Sequence, residues 1–265
     1  SAIAPVGKEG AGLNYRGYSI NDLAEHATFE EVAYLLIYGQ LPTIKELKAY
    51  QQQLVQLRDI PHHLKSVLKG IPKESHPMDM LRTACSYLGN LEPEQELFEQ
   101  VDKANRMIAI LPGLICFWYA YHHQGREISG LTDEDTLGGH FISMLRDKAP
   151  NQMQRDMMNV SLVLYAEHEF NASTFAARVT AATLSDYHSC ITSAIGTLRG
   201  PLHGGANEKA MELIEQFQTP HKAEIKLKDM LSNKAKIMGF GHRVYKDCDP
   251  RSDIIKHFSK KLAEF

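Results

Sequence analysis

Two histidines on glycine-rich stretches, His203 and His242, stand 39 residues apart, and Arg251 follows the second by nine. Glycine lets backbone approach a ligand closely, and a guanidinium fork can grip a carboxylate through two parallel bonds. In the run Arg199-Gly200-Pro201-Leu202-His203-Gly204-Gly205-Ala206-Asn207-Glu208, the apolar positions Ala210, Leu213, Ile214 and Phe217 start a helix near Ala206. His203 falls beside that helix's N-terminus, where the positive end of the dipole disfavours imidazolium. A neutral imidazole there can donate a hydrogen bond to a developing enolate without carrying charge itself. A glycine-rich turn with an incidental histidine accounts for the same residues.

A second cluster is Ile237-Met238-Gly239-Phe240-Gly241-His242-Arg243-Val244-Tyr245, followed by Asp249-Pro250-Arg251. His242 is a second candidate acid. The Gly239-x-Gly241 pair follows no evident strand and does not complete Gly-x-Gly-x-x-Gly, so a dinucleotide site is not supported. A third cluster closes an apolar helix at Tyr165-Ala166-Glu167-His168-Glu169-Phe170-Asn171-Ala172-Ser173. It reads either as a charged pocket floor in which His168 donates to an anion, or as a corner between helices capped by Asn171 or Ser173.

The other ten of the 13 histidines read as scaffold or surface. His62-His63 and His122-His123 sit at helix or loop ends, His76 precedes Pro77 at a helix start, and His26, His140, His188, His221 and His257 lie in amphipathic or charged stretches. No metal centre is expected: His168 adjoins Glu167 and Glu169 directly rather than at i, i+4, and the four cysteines form no C-x-x-C pair. A histidine-rich metal-binding protein fits the composition alone.

The elements that must position these residues are helical. Thr28-Phe29-Glu30-Glu31 and Thr43-Ile44-Lys45-Glu46 are capping boxes, each opening an amphipathic stretch, and Gly39 with Pro42 stops the first. Apolar spacing of three and four continues through 64–68, 78–88, 97–111, 137–145 and 153–165. Thr174 to Leu198, small-residue-rich and weakly polar, predicts one long central helix packed on several sides. The first eighteen residues hold short strand-like pieces at most. With no β–α alternation and no hairpin dipeptides between alternating runs, the fold class is all-α. A compositional seam at Gly200-Pro201 predicts a large helical domain over 1–202 and the start of a smaller one over 203–265.

With 265 residues, 43% hydrophobic, the chain can bury one or two cores. Its net charge of −3 gives no electropositive field for nucleic acid or an anionic membrane. The longest apolar run, 107–121, contains Pro112 and falls short of a bilayer span, so a buried core helix is expected. Scattered Cys85, Cys116, Cys190 and Cys248 suggest a reducing, cytoplasmic setting. The opening Ser-Ala-Ile-Ala-Pro-Val-Gly resembles neither a signal peptide nor a transit peptide.

The strings L-H-G-G-A-N-E at 202–208 and G-F-G-H-R-V-Y-K-D-C-D-P-R at 239–251 resemble the two signature regions of the citrate synthase family. The likeness extends through Arg16-Gly17-Tyr18, His76-Pro77-Met78 and the 167–175 corner. R-G-Y-S-I-N-D-L, Y-A-E-H-E-F-N-A-S-T-F and R-G-P-L-H-G-G-A-N-E are most similar to the bacterial 2-methylcitrate synthases within it. The resemblance implies an almost all-helical homodimer whose smaller, mobile domain closes over propionyl-CoA or acetyl-CoA and oxaloacetate. It implies no permanently bound cofactor; a coenzyme A thioester enters as substrate.

By the same resemblance His203 stabilises the thioester enol and His242 polarises and protonates the keto group. His168 and Arg251 hold oxaloacetate, and the backbone of Lys236, Ile237, Met238, Gly239, Phe240 and Gly241 meets coenzyme A. The family's base is an aspartate some fifty or more residues past the second signature histidine, whereas the sequence ends 23 residues past His242. None of Asp247, Asp249 or Asp253 matches that motif. A further C-terminal third is therefore expected, the alternative being a catalytically incomplete helical dimerisation module.

Overall fold

The computed structural model describes residues 1–4, 12–241, 245 and 248–264. Among them are two short strands, β1 (Asn14–Tyr15) and β2 (Tyr18–Ser19), and thirteen α-helices. The helices are α1 (Ile20–His26), α2 (Phe29–Tyr38), α3 (Ile44–Gln56), α4 (His62–Gly70), α5 (Pro77–Leu91), α6 (Gln100–Gln124) and α7 (Leu137–Arg146). They continue as α8 (Gln152–Tyr165), α9 (Ala172–Ala181), α10 (Tyr187–Leu198), α11 (Gly205–Glu215), α12 (Pro220–Ser232) and α13 (Pro250–Ala263). The strands pair antiparallel with Tyr15 opposite Tyr18. Among the described residues the fold is all-α apart from this hairpin.

Local chemistry sets the helix boundaries. Thr28 and Thr43 each form the reciprocal box, with Glu31 and Glu46 reaching back to the cap N–H. α2 ends at Gly39, whose φ of 93° suits a residue without a Cβ. His76 caps α5 by accepting the Met78 N–H on Nδ1, and Pro77 occupies the first helical position, where no donor is needed. α6 carries the long apolar run through Pro112 and buries Phe117 and Trp118. No described helix is long and apolar enough to cross a membrane.

The expected single helix over 174–198 is two. α9 stops at Ala181, Leu184 takes a positive φ of 60°, and Asp186 starts α10 afresh by accepting the Ser189 N–H and hydroxyl. The apolar pattern runs across this break, and the short cap signal Asp186-x-x-Ser189 decides the boundary. Nor is the first half packed on several sides: α9 has no buried residue, whereas α10 buries His188, Cys190 and Ile195.

Three apolar clusters hold the chain together. Leu64, Leu68, Met80, Leu88, Leu114, Phe117 and Trp118 join α4, α5 and α6, with Ile195 entering from α10. Ala33, Tyr50, Leu54, Ala109 and Leu137 link α2, α3, α6 and α7. The remaining cluster matters most for function. Leu13, Tyr15, Ile20, Leu23, Val32 and Leu35 pack on Val160, Val163 and Leu164 of α8, and Tyr245, Ile254, Ile255 and Phe258 arrive from the far end of the sequence. α13 therefore lies on α1 and α8. Its N-terminus, the hairpin tyrosine and the end of α8 come together. By contrast, α11 and α12 bury no residue, and Met211, Ile214, Ile225 and Leu231 are exposed on them.

A polar knot away from this junction fixes the 131–137 loop. Buried Arg58 donates to the carbonyls of Glu134 and Asp135, and buried Glu30 accepts the Leu137 N–H at 2.8 Å. Fully buried His140 shares a 2.9 Å hydrogen bond with Thr132 Oγ1. Burial, reinforced by the Arg58 charge, pushes its pKa down to about 3.

Candidate active site

The corner between α8 and α9 is the hub of the predicted site. Asn171 caps α9, its Oδ1 accepting the Thr174 N–H at 2.9 Å. Ser173, the other cap candidate, has a different partner: its backbone N–H donates to His203 Nε2 at 3.2 Å, and its Oγ lies 2.8 Å from the same nitrogen. The Ser173 Oγ also lies 2.7 Å from Asn171 Oδ1, so its one proton has two acceptors within reach.

A backbone N–H can only donate, so Nε2 of His203 must accept, and the ring's proton is on Nδ1. His203 is thus a neutral imidazole with a committed tautomer. Its pKa is lowered, as expected, but burial is the cause. The turn holding it is glycine-dependent. His203 N–H donates to Gly200 O, and α11 begins at Gly205. A Cβ on Gly204 would fall 2.6 Å from Leu198 O, and one on Gly205 2.6 Å from Arg199 O. Gly204-Gly205 thus allows the start of α11 to press against the end of α10.

At the other end of the corner, His168 Nε2 is 3.0 Å from Tyr245 Oη, with the rings edge-on at 5.5 Å. The Tyr15 hydroxyl donates to Val163 O at 3.0 Å and accepts the Glu167 N–H at 3.3 Å, fixing where α8 hands over to the corner. Burial raises the Glu167 pKa and pushes that of Tyr245 up to about 12. Arg251, second residue of α13, is partly buried and reaches Asp249 through Nε at 2.9 Å and Nη2 at 2.6 Å.

One 167–173 segment therefore touches the His203 turn at one end and Tyr245 at the other. His242 lies outside the described residues. Lys236 to Gly241 form the loop after α12, with Gly239 and Gly241 at φ of 90° and 82° and Phe240 exposed. A Cβ on Gly239 would come within 3.1 Å of Ala210 in α11, so this loop and the His203 helix are neighbours. Two further bonds hold α11. Asn207 donates to Tyr165 Oη at 3.0 Å, and His76, whose Nδ1 is occupied by the α5 cap, donates from Nε2 to Glu208 at 3.0 Å. Among the described residues no group of three or more His, Cys, Asp or Glu could hold a metal ion.

Residues 1–265 match the family model described as citrate synthase, C-terminal domain. The chain belongs to the citrate synthase family. Among its relatives, the 2-methylcitrate synthase of Shewanella oneidensis is 56% identical over 99% of this chain and 70% of its own length. The citrate synthase of Deinococcus radiodurans is 42% identical over 97% of this chain and 68% of its own. The citrate synthase of Thermoplasma acidophilum, solved as a ternary complex with carboxymethyl coenzyme A and oxaloacetate, superposes with a TM-score of 0.93 at 32% identity, covering 100% of this chain and 70% of that one.

Ser173, Tyr245 and Asp249 were not foreseen as partners of the predicted site residues. Ser173 alone had a sequence signal, since it lay in the capping window, but a cap reading assigns it to α9 rather than to a histidine 30 residues away. Members of the citrate synthase family transfer an acyl group and convert it into an alkyl group.

Proposed function

We propose that the protein is a 2-methylcitrate synthase, condensing propionyl-CoA with oxaloacetate and water to give 2-methylcitrate and coenzyme A. The observation that carries the choice of acyl group is 56% identity to the Shewanella oneidensis 2-methylcitrate synthase, against 42% to the Deinococcus radiodurans citrate synthase. The site geometry supports the chemistry. A thioester α-proton is weakly acidic, so its removal needs a base on one side and a donor at the carbonyl oxygen on the other. His203, neutral and with Nδ1–H as its donor, is suited to that second role: it donates to the enolate oxygen without itself being charged.

The enol carbon then attacks the keto carbon of oxaloacetate, and the new alkoxide takes a proton from His242. Water hydrolyses the resulting thioester, releasing coenzyme A. His168 and Arg251 hold the oxaloacetate carboxylates, and the backbone of Lys236 to Gly241 meets coenzyme A. The base is assigned to no residue of 1–265. Tyr165, the last residue of α8, three positions before His168 and bonded to Asn207 on the His203 helix, lines the acyl pocket. The second, smaller domain begins at 203 and closes over the substrates, excluding water from the enol. The enzyme works as a homodimer in the cytoplasm, in propionate breakdown.

One methyl group separates propionyl from acetyl and is worth about 1–3 kcal/mol of discrimination. The test is kcat/KM for the two thioesters on the full-length enzyme. A higher value for propionyl-CoA is expected; a tenfold preference for acetyl-CoA overturns the assignment in favour of a citrate synthase.

A further inference from the structure

The Asp249-Pro250-Arg251 triplet contains a carboxylate that the reaction as derived leaves without a task. Asp249 caps α13, its Oδ1 accepting the Arg251 N–H at 3.0 Å. The same carboxylate takes the Arg251 side chain in a fork, Nε to Oδ1 at 2.9 Å and Nη2 to Oδ2 at 2.6 Å. Pro250 supplies a pre-set φ at the first helical position and needs no acceptor there. Cap position and second helical position are close enough for one carboxylate to bind both backbone and side chain of the arginine.

We propose that Asp249 is the positioning residue for Arg251, setting which edge of the guanidinium faces oxaloacetate. This rests on the reading of Arg251 as a substrate grip. A guanidinium offers five donors in one rigid plane. Asp249 occupies Nε–H and one Nη2–H, and so leaves Nη1 and the outer hydrogen of Nη2 as the edge facing away from Asp249, the pair that matches an incoming carboxylate. The helix cap immobilises Asp249, and Asp249 immobilises the fork, so the long side chain is ordered before substrate arrives. The arrangement holds a negative charge beside an anion site. Simple attraction of oxaloacetate would be stronger without it, so its presence favours an orienting role over a charge-supplying one.

This opposition yields a test in the full-length enzyme. Asp249→Asn keeps a good cap, since Asn ranks with Asp at that position, and removes the charge and one arm of the fork. Positioning predicts that KM for oxaloacetate rises about tenfold while KM for the acyl-CoA stays within about twofold. A purely electrostatic role predicts a lower KM for oxaloacetate, and that result, or no change, overturns the proposal. A double-mutant cycle isolates the route. Lysine cannot be held in a fork, so in an Arg251→Lys background Asp249→Asn should have little further effect. An equal effect in both backgrounds would make Asp249 merely structural and overturn the proposal. Arg251→Ala separates the two readings: if it leaves the oxaloacetate KM unchanged, the grip itself is wrong. If it raises KM while Asp249→Asn does not, only the positioning inference fails.

Discussion

His140 gives this protein a built-in acid sensitivity. Its pKa falls from the usual 6.5 to about 3 in the folded state, chiefly through burial and then through Arg58. The unfolded chain therefore binds a proton below about pH 6.5 that the folded chain refuses. The stability associated with neutral His140 is complete above that pH and declines as pH falls toward 3, by at most about 1.4 kcal/mol per pH unit. His140→Asn, whose amide can keep the Thr132 bond, removes this proton uptake. Urea unfolding at pH 7, 6 and 5 should show a shallower loss of stability for the variant than for the parent; parallel curves would contradict the assignment. At this scale the residue types and spacings singled out His168, His203 and Arg251, because glycine loops and helix ends are local signals. Their partners were illegible, since Ser173 meets His203 across 30 residues and Tyr245 meets His168 across 77.

Among the elements, the turn between α10 and α11 is the one on which the proposed chemistry depends most directly. A methyl group on Gly205 would meet two backbone carbonyls, Arg199 O at 2.6 Å and Gly200 O at 2.9 Å, so the turn itself would have to move. Gly205→Ala is expected to lower kcat more than tenfold with circular dichroism unchanged, because a misplacement of about 1 Å is worth up to a hundredfold. The opposite balance is expected at Thr28→Ala. Losing that cap should cost about 1 kcal/mol in chemical denaturation and leave kcat intact. Both capping boxes could be read from four residues each. The α9–α10 break could not be read from periodicity, because apolar spacing survives across a turn that Asp186 and Ser189 impose.

For the whole molecule, the chain's path explains why distant segments meet. α13 packs against α1 and α8, so residues near 250 stand beside the hairpin at 15 and the corner at 167. No sequence signal told which core the apolar residues of α13 would join. Conversely, α11 and α12 display apolar residues with no core beneath them. The cysteines carry a further consequence. Cys85, Cys116 and Cys190 are buried, and burial raises their thiol pKa, while Cys248 is exposed one residue before Asp249. A thiol-directed fluorophore applied to the folded protein would thus attach beside the Asp249–Arg251 pair and leave the core silent, so that the proposed arrival of oxaloacetate at Arg251 would become an optical signal.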